Sequence, residues 1–332
     1  MTTTDFSQIN EEDIHSGKYV FRDVFDVGRY LVYKGWNVNW YAAPQFETME
    51  FAETDIKNVP MPASPLYRGQ NEYYTPCFPS LYRRSWNTAE ELERLVQMED
   101  FKTILNQHPE VLDIQNAGLT VNYEGLAQHY GIETAIMDLT NSFGVAAFFA
   151  TSRYDCLADR YYPIMDTMHK GVIYFYPLGM YDISFSNKPK ITPIGLDVLP
   201  RPGEQRGFGM QMGKDEDFNH ACPIRFFFWH NPQTSLECFK RFNGGTMLFP
   251  YDPIAEKIRV MRKYRIYSRE SIHTIINGTN RFQDMTADDA KKLLTEKGCI
   301  IVDTTPFTYT PTELDYITQR YHKMYPGSFP NG

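Results

Sequence analysis

Cysteine is scarce in this chain and falls in no pattern. The five residues Cys77, Cys156, Cys222, Cys238 and Cys299 are odd in number and form no CxxC pair. A disulfide scaffold is thereby excluded, and a reducing compartment is the simpler expectation. Long apolar runs are missing as well. The longest stretch of apolar residues and glycine, Phe143–Ala150, falls far short of the roughly 20 residues of a spanning helix. The opening residues MTTTDFSQINEEDIHSG carry neither the basic start nor the apolar stretch of a secretory leader. A cytoplasmic protein with no membrane partner is expected. Positive charge is in deficit too: 33 Lys and Arg against 41 Asp and Glu give a net charge of −8. That balance counts against a chain that coats nucleic acid, although it leaves room for a local basic patch. No P-loop, GxGxxG, HExxH or GxSxG segment occurs, which disfavours kinases, classical dehydrogenases, zincins and α/β-hydrolases. There is no internal repeat and no low-complexity tract. His220, Cys222, His230 and Cys238 fall close together, but their spacing matches no common zinc site, so no metal is expected.

What the chain does have is rings. Its 23 Phe, 23 Tyr and 4 Trp make up 15% of 332 residues, enough to stabilise a core and leave some for a binding cleft. The length suffices for two average domains, or for one large domain with a decorated edge. Residues 1–17 read as a disordered lead-in. Between Tyr19 and Tyr41 periodicity does not settle strand against helix. Four prolines between 42 and 65 mark a loop, and Leu66–Gly69 reads as a strand end or turn. A helix is expected from about Ala89 to Asn106, opened by a Thr88–Glu91 capping box and stopped at His108-Pro109. A second should cover Val121–Tyr130 and end at Gly131. A short strand follows at Thr134–Asp138, then a buried helix capped by Asn141-Ser142 and running through Thr151. Gly171–Tyr176 and Ile224–Trp229 are the best later strands. Further on come a helix opening at Thr286, a strand at Cys299–Asp303 and a helix at about 312–324. Short strands and helices without regular βαβ alternation predict an α+β fold with a mixed, mostly antiparallel sheet. The expected division is a core domain over 18–254 and a C-terminal extension or small lobe over 255–332, whose removal should leave a folded core.

Three separated segments carry a resemblance. The first is Leu66-Tyr67-Arg68-Gly69-Gln70, followed by Phe78-Pro79-Ser80-Leu81. The second is Gln128-His129-Tyr130-Gly131 with Thr134, Asp138-Leu139-Thr140 and the apolar helix Val145–Ala150. The third is Arg201 with Gln205, Gly207 and Phe208. In order and spacing they resemble the FRG domain, a bacterial and phage family named for a Phe/Tyr-Arg-Gly motif. Ala135 and Leu139 stand where the family usually has Arg and Trp. The arrangement is also similar, more weakly, to ADP-ribosyltransferase-like folds, which hold NAD with an Arg or His on an early strand. The resemblance implies binding of NAD or a related nucleotide, and ADP-ribosyltransferase-like chemistry as one use of it.

Residue chemistry gives each motif member two readings. Arg68 offers a planar fork for phosphate, with Tyr67 and Gln70 beside it and Gly69 allowing close approach of a ligand. Equally, Arg68 could pair with the Asp138 carboxylate to lock the fold. His129 suits general acid–base work and Tyr130 suits stacking on a ring, or both could be ordinary residues of a helix end. Asp138 and Thr140 alternate along a strand and so share a face. Asp138 then serves as a catalytic acid or as an arginine partner. Gln205 could orient a ribose by hydrogen bond, as could the neighbouring Glu204, or either could hold a turn. The stretch containing Arg259, Arg262, Lys263, Arg265 and Arg269, interleaved with Tyr264 and Tyr267, suits a nucleic-acid backbone with stacked bases, or a solvated face balanced by acids. Two other function classes stand beside the nucleotide reading: a non-catalytic sensor module and a carbohydrate-active protein. On the first reading Arg68, His129, Tyr130 and Asp138 converge on one cleft.

Overall fold

The computed structural model describes residues 4–36, 38–40, 65–118, 121–177, 191–194 and 199–324; all but the last residue of the proline-marked stretch 42–65 lies outside them. The strands are β1 Leu66–Gln70, β2 Ile136–Thr140, β3 Ser152–Asp155, β4 Arg160–Pro163, β5 Lys170–Tyr176, β6 Ile191–Pro193, β7 Gly207–Gln211, β8 Arg225–Trp229, β9 Ile266–Ser268 and β10 Ile300–Val302. The helices up to residue 151 are α1 Glu11–His15, α2 Val24–Tyr33, α3 Thr88–Leu105, α4 Pro109–Asn116, α5 Tyr123–His129 and α6 Phe143–Thr151. Beyond them lie α7 Pro200–Gln205, α8 Phe218–Ala221, α9 Pro232–Arg241, α10 Pro253–Tyr264, α11 Arg269–Gly278, α12 Ala287–Glu296 and α13 Pro311–Met324. The fold class is α+β.

The chain divides into two compact units that interleave along it. The described residues of unit 1 fall within 4–40, 65–79 and 135–250, and those of unit 2 within 80–134 and 251–324. Unit 1 holds a six-stranded antiparallel sheet in the order β6-β7-β2-β1-β5-β8, and β3 and β4 form a separate hairpin. One face of the sheet carries Tyr67, Ile173, Phe175, Phe226 and Phe228, packed with α1, α2 and α6. The other face carries Leu66, Met137, Leu139, Val172, Tyr174, Phe208 and Met210, packed with Phe218 of α8. Residues 5–15, expected to be a disordered lead-in, are instead ordered. Asn10 caps α1 through the Glu12 amide, and Ile14 is buried in the first of these clusters. The segment after Tyr19 resolves as helix: Asp23 caps α2 through the Asp26 amide.

Helix α6 is apolar on every side, as a helix buried all round must be, and Ser142 caps it through the Val145 amide. It crosses β1 so closely that a Cβ built on Gly69 would lie 1.7 Å from the Ala146 carbonyl oxygen.

Unit 2 is helical, with β9 and β10 forming a two-stranded parallel sheet. The capping box of α3 is Asn87 with Glu90, one residue before the expected pair; Thr286 caps α12 as expected, with Asp289 closing the box. Buried Asp100 of α3 accepts hydrogen bonds from the Ser268 amide (2.9 Å) and from the Ser268 and Ser271 hydroxyls (2.6 and 2.8 Å). This one carboxylate therefore ties β9 and the start of α11 to α3.

Candidate functional site

Leu66–Gln70 is a central strand of unit 1 rather than a strand end. Side chains alternate along a strand, and the two core clusters show which way each points. Leu66, Arg68 and Gln70 face the side of Met137, Leu139 and Tyr174; Tyr67 and Gly69 face α6. The Tyr-Arg-Gly-Gln motif is thus divided across the sheet. Tyr67 is a core ring, edge-on to Phe143 and Phe175, and burial raises its phenol well above the ordinary value. Gly69 is required by the approach of α6, so the reading of this glycine as an opening for a ligand is corrected: a helix occupies that face.

Arg68 lies directly across from Tyr174 of β5, and its guanidinium stands 6.0 Å from the Phe218 ring centroid. Strands β1 and β5 pair along all of Leu66–Gln70, whereas β1 and β2 share a single paired position, Tyr67 with Thr140. Where β1 and β2 part, Arg68 Nη1 donates to the Asp138 main-chain carbonyl at 2.9 Å. Its Nε is buried with no partner, and no carboxylate lies within ion-pair distance among the described residues. The surroundings are apolar and hydroxylic. Tyr174 donates to Asn219 at 2.7 Å, the Gln70 amide lies 3.6 Å from the Cys77 sulfur, and burial raises the Tyr174 phenol while Arg68 opposes the rise. Burial also pushes the Cys222 thiol up to about 12, against the pull of Arg225 and then Arg68.

The expected pairing of Arg68 with the Asp138 carboxylate does not form. Asp138 and Thr140 alternate with Met137 and Leu139, so their side chains project to the α6 face, away from the guanidinium. On that face Thr140 donates to the Gln205 carbonyl (2.8 Å), and the Gln205 amide donates to the Leu248 carbonyl (3.0 Å). Both are buried and knit the end of β2 to the end of α7. Half-buried Asp138 lies near Tyr161, whose phenol burial raises; Asp138 adds to that rise and Arg201 opposes it. Arg201 in turn stands over the Phe249 ring, which stacks on Tyr161 with centroids 5.3 Å apart. The second and third motifs therefore meet on the α6 face and the first motif's arginine faces the other way. Tyr161 belongs to no motif and carried no sequence signal beyond its aromatic neighbours.

His129 and Tyr130 belong to unit 2, whereas Arg68 and Asp138 belong to unit 1. His129 ends α5, and Gly131 follows with φ of +79°. Tyr130 is only 4% exposed. Its ring packs on Phe101 and its hydroxyl donates to buried Asp252 at 2.7 Å, which places it in the core of unit 2.

The basic stretch is largely paired. Arg265 grips Glu93 through Nε and Nη2 at 2.8 and 2.6 Å; Arg259 bonds Glu256, and Arg269 lies 3.2 Å from Asp303. Arg262 and Lys263 are exposed in the last turn of α10. Cys222 and Cys238 sit in separate core clusters, and no group of three or more metal-ligating side chains occurs among the described residues. No helix among them is long and apolar enough to cross a membrane.

Comparison with known families matches residues 63–157 to the FRG domain. The match takes in β1 to β3 and α3 to α6, and so includes Arg68, His129, Tyr130 and Asp138; the segment Arg201–Phe208 lies beyond it. No curated protein and no solved structure matches the chain.

Proposed function

The chain carries an FRG domain, and on that footing we propose that unit 1 binds NAD or a related nucleotide, with Arg68 as the phosphate anchor. The observation behind this reading is the state of the guanidinium. Arg68 is half-buried where β1 and β2 part, it has one bond to a main-chain carbonyl, and its Nε is buried without a partner. A buried cation without a counter-ion is costly and a buried donor without an acceptor adds to the cost. A ligand oxyanion relieves both, because the guanidinium fork matches phosphate in a bidentate manner. Tyr174 and Phe218, both fully buried, wall the arginine, and the buried amides of Gln70 and Asn219 lie beside Cys77 and Tyr174.

This is a reading of binding. Transfer chemistry at the same place would need a carboxylate near the bound ribose, and the Asp138 side chain projects to the other face. The ADP-ribosyltransferase alternative therefore rests on likeness of fold alone, which licenses no mechanism.

Arg68→Lys tests the proposal. The substitution keeps the charge and loses the fork, so NAD or ADP-ribose affinity measured by calorimetry should fall. A charge-assisted hydrogen bond of roughly 1.5–3 kcal/mol corresponds to a loss of about 10- to 150-fold. Wild-type protein should show a rise in melting temperature with NAD that the variant lacks. Unchanged NAD affinity in a folded Arg68→Lys protein removes Arg68 from the site, and absence of binding to the wild type removes the nucleotide reading.

A further inference from the structure

Helices α2 and α9 of unit 1 border an open cleft of about 770 Å³, a volume in the range of small-molecule sites. Arg68 is not among its lining residues. Arg22, Arg29 and Arg241 reach it, together with Phe25, Val32 and Trp40. The first two arginines are held from behind by buried carboxylates. Arg29 Nε donates to Asp26 at 3.0 Å, and Arg22 Nε lies 3.5 and 3.6 Å from Asp23 and Asp26, which are 5% and 1% exposed. Asp23 also accepts from the Asp26 amide at 2.9 Å. These contacts hold each guanidinium by its Nε side. Both terminal nitrogens of Arg22 and Nη1 of Arg29 have no hydrogen-bond partner among the described residues. The carboxylates at this end thus position the arginines rather than stand against an incoming anion.

Opposite them the cleft offers ring surface. The Arg241 guanidinium stands 5.1 Å from the Trp40 ring centroid and 5.7 Å from that of Phe25, and its Nη2 is fixed by Glu237 at 2.7 Å. Phe25 and Trp40 meet edge to face at 5.0 Å. Val32, 59% exposed, adds an apolar wall. The N-terminus of the ten-residue helix α9, capped by Asn231, opens at the same cleft and contributes the positive end of its dipole.

We infer that this cleft is a second, separate binding site, for an oxyanion attached to a planar ring. The anion would meet the outer nitrogens of Arg22 and Arg29, and the ring would lie on Trp40, Phe25 and Val32. Neither half suffices alone: the arginines are half-exposed and share charge with acids, and the ring surface is small.

Calorimetry with 1-naphthyl phosphate on the full chain tests the inference, with 1-naphthol and inorganic phosphate as the two half-ligands. Naphthyl phosphate should bind at least about tenfold more tightly than either half. Val32→Glu places a carboxylate on the apolar wall without touching the buried carboxylates, and Arg22→Gln removes one anchor. Each should weaken naphthyl phosphate by about tenfold or more, and Val32→Glu should do so with the melting temperature unchanged. Val32→Glu should leave NAD affinity as in the wild type, which separates this site from the one at Arg68. Absence of naphthyl phosphate binding, affinity unchanged in both folded variants, or naphthol binding as tightly as its phosphate overturns the inference.

Discussion

At the scale of single residues, the Tyr-Arg-Gly-Gln strand shows how four neighbours can have four separate duties. Tyr67 fills a core, Arg68 reaches across a gap in the ladder, Gly69 admits a helix, and Gln70 meets a thiol on the arginine's side. The glycine gives the sharpest test. A methyl group 1.7 Å from the Ala146 carbonyl oxygen meets backbone on a central strand, and neither partner can swing away. Gly69→Ala should cost about 3 kcal/mol in urea denaturation, the upper end for overpacking. A loss within about 1 kcal/mol would show that α6 slides freely on β1. A second residue carries a pH signature. Burial lowers His108 from an ordinary 6.5 to about 4, so the folded chain holds it neutral. The unfolded chain takes up a proton as pH falls below about 6.5, and the folded chain does not until about 4. Stability present above 6.5 is therefore lost progressively through that window, by on the order of 3 kcal/mol from this group. His108→Gln removes the titration. The urea midpoint of the wild type should fall relative to that of the variant as pH drops from 7 towards 4.5, and parallel pH profiles would mean that His108 is not held neutral.

Elements explain why the basic stretch misleads. Arg265 sits at the end of α10 with φ of +51°, and it grips Glu93 on α3 while Tyr267 donates to the same carboxylate at 2.9 Å. Exposed Arg262 has no such anchor in α3. Arg265→Glu should therefore lower the melting temperature of the protein, whereas Arg262→Glu should leave it unchanged. A nucleic-acid interface predicts otherwise: both reversals weaken salt-sensitive binding alike. Sequence made the helices legible because caps and periodicity are local. Thr286 and Ser142 cap where expected, and the one-residue slip to Asn87 arises because Asn87/Glu90 and Thr88/Glu91 satisfy the same rule. Strand ends were less legible: β2 begins at Ile136, two residues late, because Thr134 and Ala135 are buried as strand residues are, while the Thr134 carbonyl accepts from the Leu81 amide and the Ala135 carbonyl from the Met212 amide. Alternation correctly put Asp138 and Thr140 on one face. It could not say that Arg68 takes the other, because that depends on the register of Tyr67 with Thr140, a contact 73 positions apart. The short contacts Thr140–Gln205 and Tyr130–Asp252 were hidden for the same reason.

At the scale of the whole molecule, the compact units do not follow the linear order of the chain. A linear division at 254/255 assigns α3 to the first part, yet α3 packs with α11, α12 and β9 in unit 2. Leu92, Val96 and Phe101 are fully buried in that unit, and Asp100 is satisfied by Ser268 and Ser271. Truncation after residue 254 would leave a carboxylate without its three donors and an apolar helix face without its cover. Losing hydrogen-bond partners of a buried charge and exposing several large side chains each cost several kcal/mol, comparable to the whole stability of a domain at roughly 5–15 kcal/mol. The 1–254 fragment should therefore aggregate, or keep the sheet of unit 1 while Ser80–Thr134 loses its structure. Hydrogen exchange decides between the divisions. Amides of Leu92–Phe101 should exchange fast in the fragment and slowly in the full chain, while those of Val172–Phe175 on β5 stay protected in any soluble fragment. Slow exchange along α3 in the fragment would restore the linear division, because it would show that residues 255–332 are not what covers that helix.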